Sequence, residues 1–392
     1  MARLEKILPI VLLIALPLLC PASTNQLTVT AVNKLGIARL SQTIELSAQQ
    51  LSPLGEKDFN KIHVLDSAGK EVLCQAVDTD GDDYRKPDVL IFQSDFAPDE
   101  IKIFSVITGR KREYKKADFK AYGRFVRERF DDFTWENDRI AHRTYGKALE
   151  TWKGEPLTSS AIDIWSKRVP YPVIDAWYMA DNYHADTGEG FDDYSCGKSR
   201  GDGGNGLWAA DRLWVSKNFI SSRVLANGPI RVMFELTYDP FDVNGIRVSD
   251  VKRITLDAGQ NLDHYQSFYK PEASAGQSLA LTTGIGLKKV AGEQMELNAK
   301  QGWLVKWEPM EKNAGDQGLA IVFDAKLFEK QTEDNLNQLV IAKVPADNAA
   351  SYWAGFCWDK AGQFQDSASW KKYVDDFAQG LASPIAVNVK EK

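Results

Sequence analysis

Across 392 residues, 48 basic and 54 acidic side chains leave a formal charge of −6, with 44% hydrophobic content. That balance is globular and excludes a disordered tail protein, a collagen or a coiled coil. An acidic chain with no concentrated run of Lys and Arg also lacks the electrostatic footprint of a nucleic-acid binder.

Residues 1–22 begin with Arg3 and Lys6, continue through an apolar run from Ile7 to Leu19, and end on Pro21 and Ala22. This is the build of a secretory signal peptide. The run is shorter than the roughly 20 residues a membrane span needs, so the expectation is an exported, periplasmic or secreted protein with no membrane span. Cys20 suggests lipid attachment, but Leu19 stands where lipidated proteins usually carry a small residue. Cleavage near Ala22 leaves Cys74, Cys196 and Cys357, which allow at most one intramolecular bridge.

Residues 23–115 read as an N-terminal β segment, with β-prone runs at 27–32, 61–65, 89–92 and 103–107 separated by turn residues. Within it, Asp78, Asp80 and Asp82 around Gly81 offer alternate carboxylates, which suit an acidic hairpin tip better than an EF-hand because the distal Glu is missing. Residues 116–392 read as the main sandwich carrying the active site. Asn227-Gly228 and Asn244-Gly245 are hairpin dipeptides, and Val232, Phe234, Leu236 and Tyr238 alternate with Arg231, Met233, Glu235 and Thr237. That pattern predicts one buried face and one wet face. Near the end, Trp370, Tyr373, Val374 and Phe377 fall at helical spacing after Asp366, with Gly380 as a stop. No repeat of 20–50 residues is visible. The expected architecture is all-β, a large antiparallel β-sandwich with a short C-terminal helix.

Two stretches, 124–146 and 177–204, break the strand-and-turn pattern and hold two of the four histidines, His142 and His184. Histidine is the side chain best suited to proton transfer near neutral pH. Around them stand Trp135, Asn137, Arg139, Arg143, Tyr145, Tyr183, Lys198 and Arg200, a mixture that can hold a carboxylate while moving protons. The structural alternatives are a core histidine bonded to backbone and arginines paired with Glu136 or Asp138 on a solvated face. Gly201, Gly203 and Gly204 read as a flexible turn, since no dinucleotide-binding spacing follows them. A transition-metal site would need His142, His184 and His264 to converge from three distant segments, so neither a metal nor a cofactor is expected. Eleven Trp, thirteen Tyr and eighteen Phe admit a carbohydrate ligand, because flat rings make platforms for sugar faces.

The phrases from Phe130 to Gly146 and from Tyr183 to Gly204 resemble a family of exported bacterial proteins labelled as a domain of unknown function. That family occurs in polysaccharide-utilisation clusters and includes oligosaccharide dehydratases of ulvan breakdown. The resemblance spans nearly all of the chain after residue 26. It implies a supersandwich related to mutarotases and polysaccharide lyases. It also implies removal of water from a non-reducing terminal glucuronic acid of a uronate-containing oligosaccharide, leaving a 4,5-unsaturated uronyl end.

Such an elimination takes the C5 proton, α to a carboxylate, so that carboxylate must be quietened by charge-assisted hydrogen bonds; Arg139 or Arg143 with Asn137 suits the task. The C5 hydrogen and the C4 oxygen of glucuronate lie on one ring face, so a syn elimination can be run by His142 or His184 with Tyr145 or Tyr183. Lys198 and Arg200 are second-rank carboxylate binders, and Trp135 is a candidate sugar platform. Two other classes compete. A glycoside hydrolase would use Glu136, Asp186 and Glu189 as acid and base or nucleophile, with a polysaccharide lyase on uronate-containing glycans beside it, and a non-catalytic sugar binder would need the aromatics but not the histidines. Amino-terminal sequencing of exported protein should read a start just past residue 22; Met1 retained on cytoplasmic material would refute the leader.

Overall fold

Asn244 and Gly245 both take positive φ, 52° and 88°, the pairing a tight two-residue hairpin turn demands. They join the two longest strands, Arg231–Val243 and Ile246–Asp257. Asn227-Gly228 lies at the preceding turn, after Phe219–Asn227. The computed structural model describes residues 26–83, 86–154, 156–272 and 280–392; the leader expected at 1–22 lies outside the described residues.

These strands begin an antiparallel eight-stranded sheet. It continues through Leu262–Pro271, Ala349–Trp358, Asp316–Phe323, Trp303–Pro309 and Gln294–Asn298. Against one face pack two five-stranded sheets. The first runs Tyr122–Val126, Asp132–Glu136, Ala141–Thr144, Asp163–Lys167, Gly190–Phe191; the second is centred on Asp202–Ala209, Thr282–Lys288 and Asn337–Lys343. Phe133, Trp135 and Ile164 from the first, and Ile285, Leu287 and Val340 from the second, meet Phe234, Tyr265 and Tyr352 of the large sheet in one core. Each such side chain contributes about 1.5–3 kcal/mol on burial. The fold is therefore the antiparallel all-β sandwich that the alternation predicts.

Val232, Phe234, Leu236 and Tyr238 are buried as expected, but Met233 on the opposite face is buried too. It packs on Val77 and Ile91 of the N-terminal strands, so that face is covered, not wet, at this point. The N-terminal strands form two small sheets enclosing their own core of Val29, Leu46, Val64, Phe92 and Phe104. Leu27–Val32 lies between Ile101–Thr108 and the last strand, Ala386–Glu391. At the acidic tip, Asp78 accepts from the Gly81 amide (2.6 Å) and Asp80 from that of Asp82 (3.0 Å), which makes these carboxylates turn-builders. Cys74, Cys196 and Cys357 are buried thiols.

The terminal helix runs Ser367–Ala382, with Asp366 accepting from the Ser369 amide at 2.8 Å. Trp370, Val374 and Ala378 bury against Trp303, Val305 and Val322 on the outer face of the large sheet. Gly380 does not stop it. The Arg39 guanidinium bonds to the Gly380 carbonyl, and a Cβ at this position would stand 2.9 Å from that guanidinium. A missing side chain here makes room rather than ending the helix.

A second short helix, Ile174–Ala180, escapes the sequence reading because seven residues show no period. Its first amides, Val173 and Ile174, donate to Glu136 at 2.9–3.0 Å. Glu136 also pairs with fully buried Lys167 at 2.6 Å, and Lys167 donates further to the carbonyls of Asn137 and Tyr171. Breaking a buried pair by removing one partner costs about 3–5 kcal/mol. Glu136→Ala should lose that much in urea denaturation, and a loss below about 1 kcal/mol would show the pair to be dispensable.

Candidate active site

Strand pairing aligns Ala141–Thr144 between Asp132–Glu136 and Asp163–Lys167, which sets Arg143 beside Asp163. Its guanidinium donates to Asp163 (2.5 and 3.0 Å) and to Asp192 (3.0 Å). The rings of Tyr145, Trp165 and Tyr183 surround it at 5.4–5.9 Å. Burial opposes its charge, but the carboxylates of Asp192 and Asp163 outweigh that and hold its pKa well above the ordinary value. The Tyr145 hydroxyl donates to Asp163 at 2.8 Å and lies 3.2 Å from the Cys196 thiol. Burial, then Asp163, drive the Tyr145 pKa well up, so it stays a neutral donor.

His184 is the exposed member of this assembly, with 63% of its side chain accessible. Its Nδ1 lies 3.1 Å from the Asp192 carbonyl and 3.6 Å from the Asp192 carboxylate. With Nδ1 directed at that carbonyl, Nε2 is the ring nitrogen left for a substrate. Tyr183 stacks on Trp165 and meets the His184 ring at 4.5 Å between centroids. Arg129 donates to the Tyr183 hydroxyl oxygen at 2.9 Å, leaving that hydroxyl its own proton to give. Arg129 also lies over Trp152, which stacks on Phe130.

Behind this shell His142 is sealed, with no exposure. It stands 2.9 Å from Asp263 and 3.2 Å from the Asp163 carbonyl, stacked on Trp135. Burial disfavours the imidazolium, but Asp263, with Asp202 beyond it, prevails and raises its pKa. Asp202 is equally buried, and neither carboxylate oxygen has a hydrogen-bond partner among the described residues. Burial chiefly, opposed by His142 and reinforced by Asp263, pushes it up to about 7.

Of the residues singled out in sequence, Arg143, Tyr145, Tyr183 and His184 come together here, with His142 one layer deeper. The remainder do other work. Trp135 is wholly buried and donates its Nε1 to Asp263 at 2.6 Å, so no sugar can stack on it. Asn137 is spent on the Asp257 and Gln260 carbonyls and on the Arg139 and Ile140 amides. Arg139 bonds to Asn261 and lines a separate cleft beside Gln260 and Tyr373. Arg200 is buried on the Ser159 and Ser160 hydroxyls, where burial pulls its pKa down to about 10; Lys198 is exposed on the same loop. Gly201 is no flexible turn: at φ +65° it lies so near the Ile162 carbonyl that a Cβ would stand 1.9 Å away. His142, offered with His184 as the proton-transfer residue, has no exposed surface and so does not reach a substrate here.

The carboxylates of the hydrolase reading are likewise engaged. Glu136 holds Lys167 and a helix start, Asp186 pairs with Arg168, and Glu189 accepts from Trp177 and Tyr171. The sequence reading missed Asp163, Asp192, Asp202 and Asp263 as partners, and Arg129 as the cation bonded to Tyr183. Arg129, Asp192 and Asp202 carried a signal, by lying in the two unusual stretches, whereas Asp163 and Asp263 lie outside both.

Residues 32–387 match the family described as "Domain of unknown function (DUF4861)". The chain is similar to "Uncharacterized protein P7" of Formosa agariphila, 33% identical over 379 residues that span 92% of this chain and 93% of that protein. Its structure is similar to that of a protein in glycosyl hydrolase family 38 from Enterococcus faecalis, with a TM-score of 0.53 and 10% identity over 95% of this chain. The likeness is one of fold, and the chain spans about half (48%) of that protein's length.

Asp202 predicts a pH dependence of stability. Its folded pKa of about 7 lies above the ordinary 3.8, so between those values the folded protein keeps a proton that the unfolded chain has lost. Its contribution is full below about pH 4 and is lost as pH rises through 7, on the order of a few kcal/mol. Urea denaturation from pH 4 to 8 should show this decline in the native protein and a flatter profile in Asp202→Asn; parallel profiles would refute it.

Proposed function

The chain belongs to the DUF4861 family, and on that premise we propose that it is a carbohydrate-active hydro-lyase. Its reaction removes water from the non-reducing terminal glucuronic acid of ulvan-type oligosaccharides, outside the cytoplasm. The observation that carries this reading is the juxtaposition of exposed His184, with Nε2 left for a substrate, and Tyr183, whose hydroxyl retains its proton beside Arg129. A proton acceptor, a proton donor and a cation on one side of a sugar are what syn dehydration of a uronate requires.

In this mechanism Arg129 faces the uronate carboxylate and favours the negative charge that develops as C5 is deprotonated. His184 Nε2 takes the C5 proton. The C5–H electron pair becomes the C4–C5 double bond while the C4–O bond breaks. Tyr183 protonates the departing hydroxyl, which leaves as water, and recovers its proton from the His184 imidazolium. The Phe130–Trp152 stack offers the apolar shelf for the ring. Arg143 is a positioning residue: neutralised by Asp163 and Asp192, it fixes the carbonyl that sets the His184 tautomer. The resemblance of the Phe130–Gly146 and Tyr183–Gly204 phrases to the dehydratases supports the same chemistry.

Incubation with glucuronate-terminated ulvan oligosaccharides should give a product lighter by one water, with ultraviolet absorbance and no chain cleavage. Cleavage without absorbance would replace this reading with a hydrolase. His184→Ala should lower kcat at least 100-fold with an unchanged melting temperature, and a folded variant of native rate would end the proton-transfer assignment.

A further inference from the structure

Phe130 and Asp131 both hold left-handed backbone, with φ of 52° and 66°, a region that is costly for a bulky side chain and that glycine usually fills. Two other turns among the described residues carry such a pair, Ala210-Asp211 and Lys312-Asn313, and there all four residues are exposed. Phe130 is half-buried instead. Strain of this kind persists only where surrounding contacts fix it. One contact is with Gly146, whose own backbone is ordinary at φ −88° and ψ 171°. A Cβ there would overlap the Asp131 carbonyl oxygen, so the glycine supplies room for the turn. From Gly146 the short helix Lys147–Thr151 leads to Trp152, whose ring stacks on Phe130 at 4.4 Å between centroids. The turn is thus gripped at both of its residues. Arg129, one position earlier, lies over the Trp152 ring at 5.1 Å and donates to the Tyr183 hydroxyl at 2.9 Å.

We infer that Gly146 and Trp152 are positioning residues for Arg129, and that through it they set the preference for a charged uronate over a neutral sugar; the inference rests on the assignment of Arg129 to the uronate carboxylate above. With the next two residues of the chain held, Arg129 has little freedom left to lose, and a carboxylate meets a guanidinium already aimed. The Trp152 ring holds the cation by its face, which leaves the N–H groups at the guanidinium rim for oxygen acceptors. Glycine at Phe130 would relieve the strain but remove the ring that meets Trp152. The strained turn is therefore the cost of placing one cation.

The probes are methyl β-D-glucuronoside and methyl β-D-glucopyranoside, which differ only at C6, with Kd for each measured by calorimetry and saturation-transfer NMR on the full chain. The native protein should bind the glucuronoside about tenfold more tightly or better, the worth of a charge-assisted hydrogen bond. Gly146→Ala should bring that ratio below about threefold, since general destabilisation weakens both glycosides alike and only a misplaced cation changes the ratio. Adding Gly146→Ala to Arg129→Gln should change the ratio no further, because both act on one contact. A native ratio near one, a native ratio retained in folded Gly146→Ala, or additive losses in the double variant would each overturn the role. Should Gly146→Ala not fold, Trp152→Leu, altered at a half-buried ring, carries the same test: loss of its apolar shelf weakens both glycosides, and only displacement of Arg129 lowers the ratio. If the preference and its collapse are both seen but glucuronate-terminated oligosaccharides lose no water, the hydro-lyase reading falls and the positioning role stands. If water is lost and the ratio survives both substitutions, the positioning role falls alone.

Discussion

Everything at the candidate site hangs on one buried cation. Arg143 bridges Asp163, on a strand of the inner sheet, and Asp192, on the segment that returns from the His184 loop. Without it, two carboxylates would face each other in a low-dielectric interior, where removing one partner of such a pair costs several kcal/mol. Because a planar guanidinium can serve both carboxylates from fixed directions, the same contact that cancels charge also fixes where the loop lies. Arg143 thus reaches the chemistry through geometry: Asp192 holds His184, and the rings of Tyr145, Trp165 and Tyr183 are laid around the cation.

The deeper layer has a different logic. His142 and Trp135 both reach Asp263 across the sandwich, and Asp202 stands nearby with no hydrogen bond to offset its burial. An apolar core would serve stability better than this half-satisfied cluster. Its proton inventory changes near neutrality because burial lifts Asp202 to about 7 while Asp263 lifts His142. The Asp163 carbonyl, which His142 touches, joins this layer to the Arg143 assembly.

What was legible in the sequence was local. Asn-Gly turns, period-two alternation and the Asp366-capped helix each depend on neighbouring residues, so they could be read directly. The two unusual stretches could also be recognised, and four of the residues proposed from them do converge. What could not be read was partnership. Trp135 meets a carboxylate 128 positions away, and Arg143 one 49 positions away; an Asp gives no sign of such a role until the fold delivers it. Asn137 and Trp135 look like ligand-binding residues by type, yet the first is consumed by four backbone groups and the second by the core. Met233 shows the same limit for the fold, since the lobe that covers it comes from more than 140 positions earlier in the chain.

The pairing of Leu27–Val32 with Ala386–Glu391 has a consequence for biogenesis. Domains commonly fold as units in the order of their synthesis, but the N-terminal lobe cannot complete its sheet until the final strand has emerged from the ribosome. Until then Leu27–Val32 presents an open edge to any neighbouring chain, the kind of edge that invites unwanted pairing. Val387 and Val389 also close the lobe's own core, so a strand made early is secured only by one made more than 350 residues later.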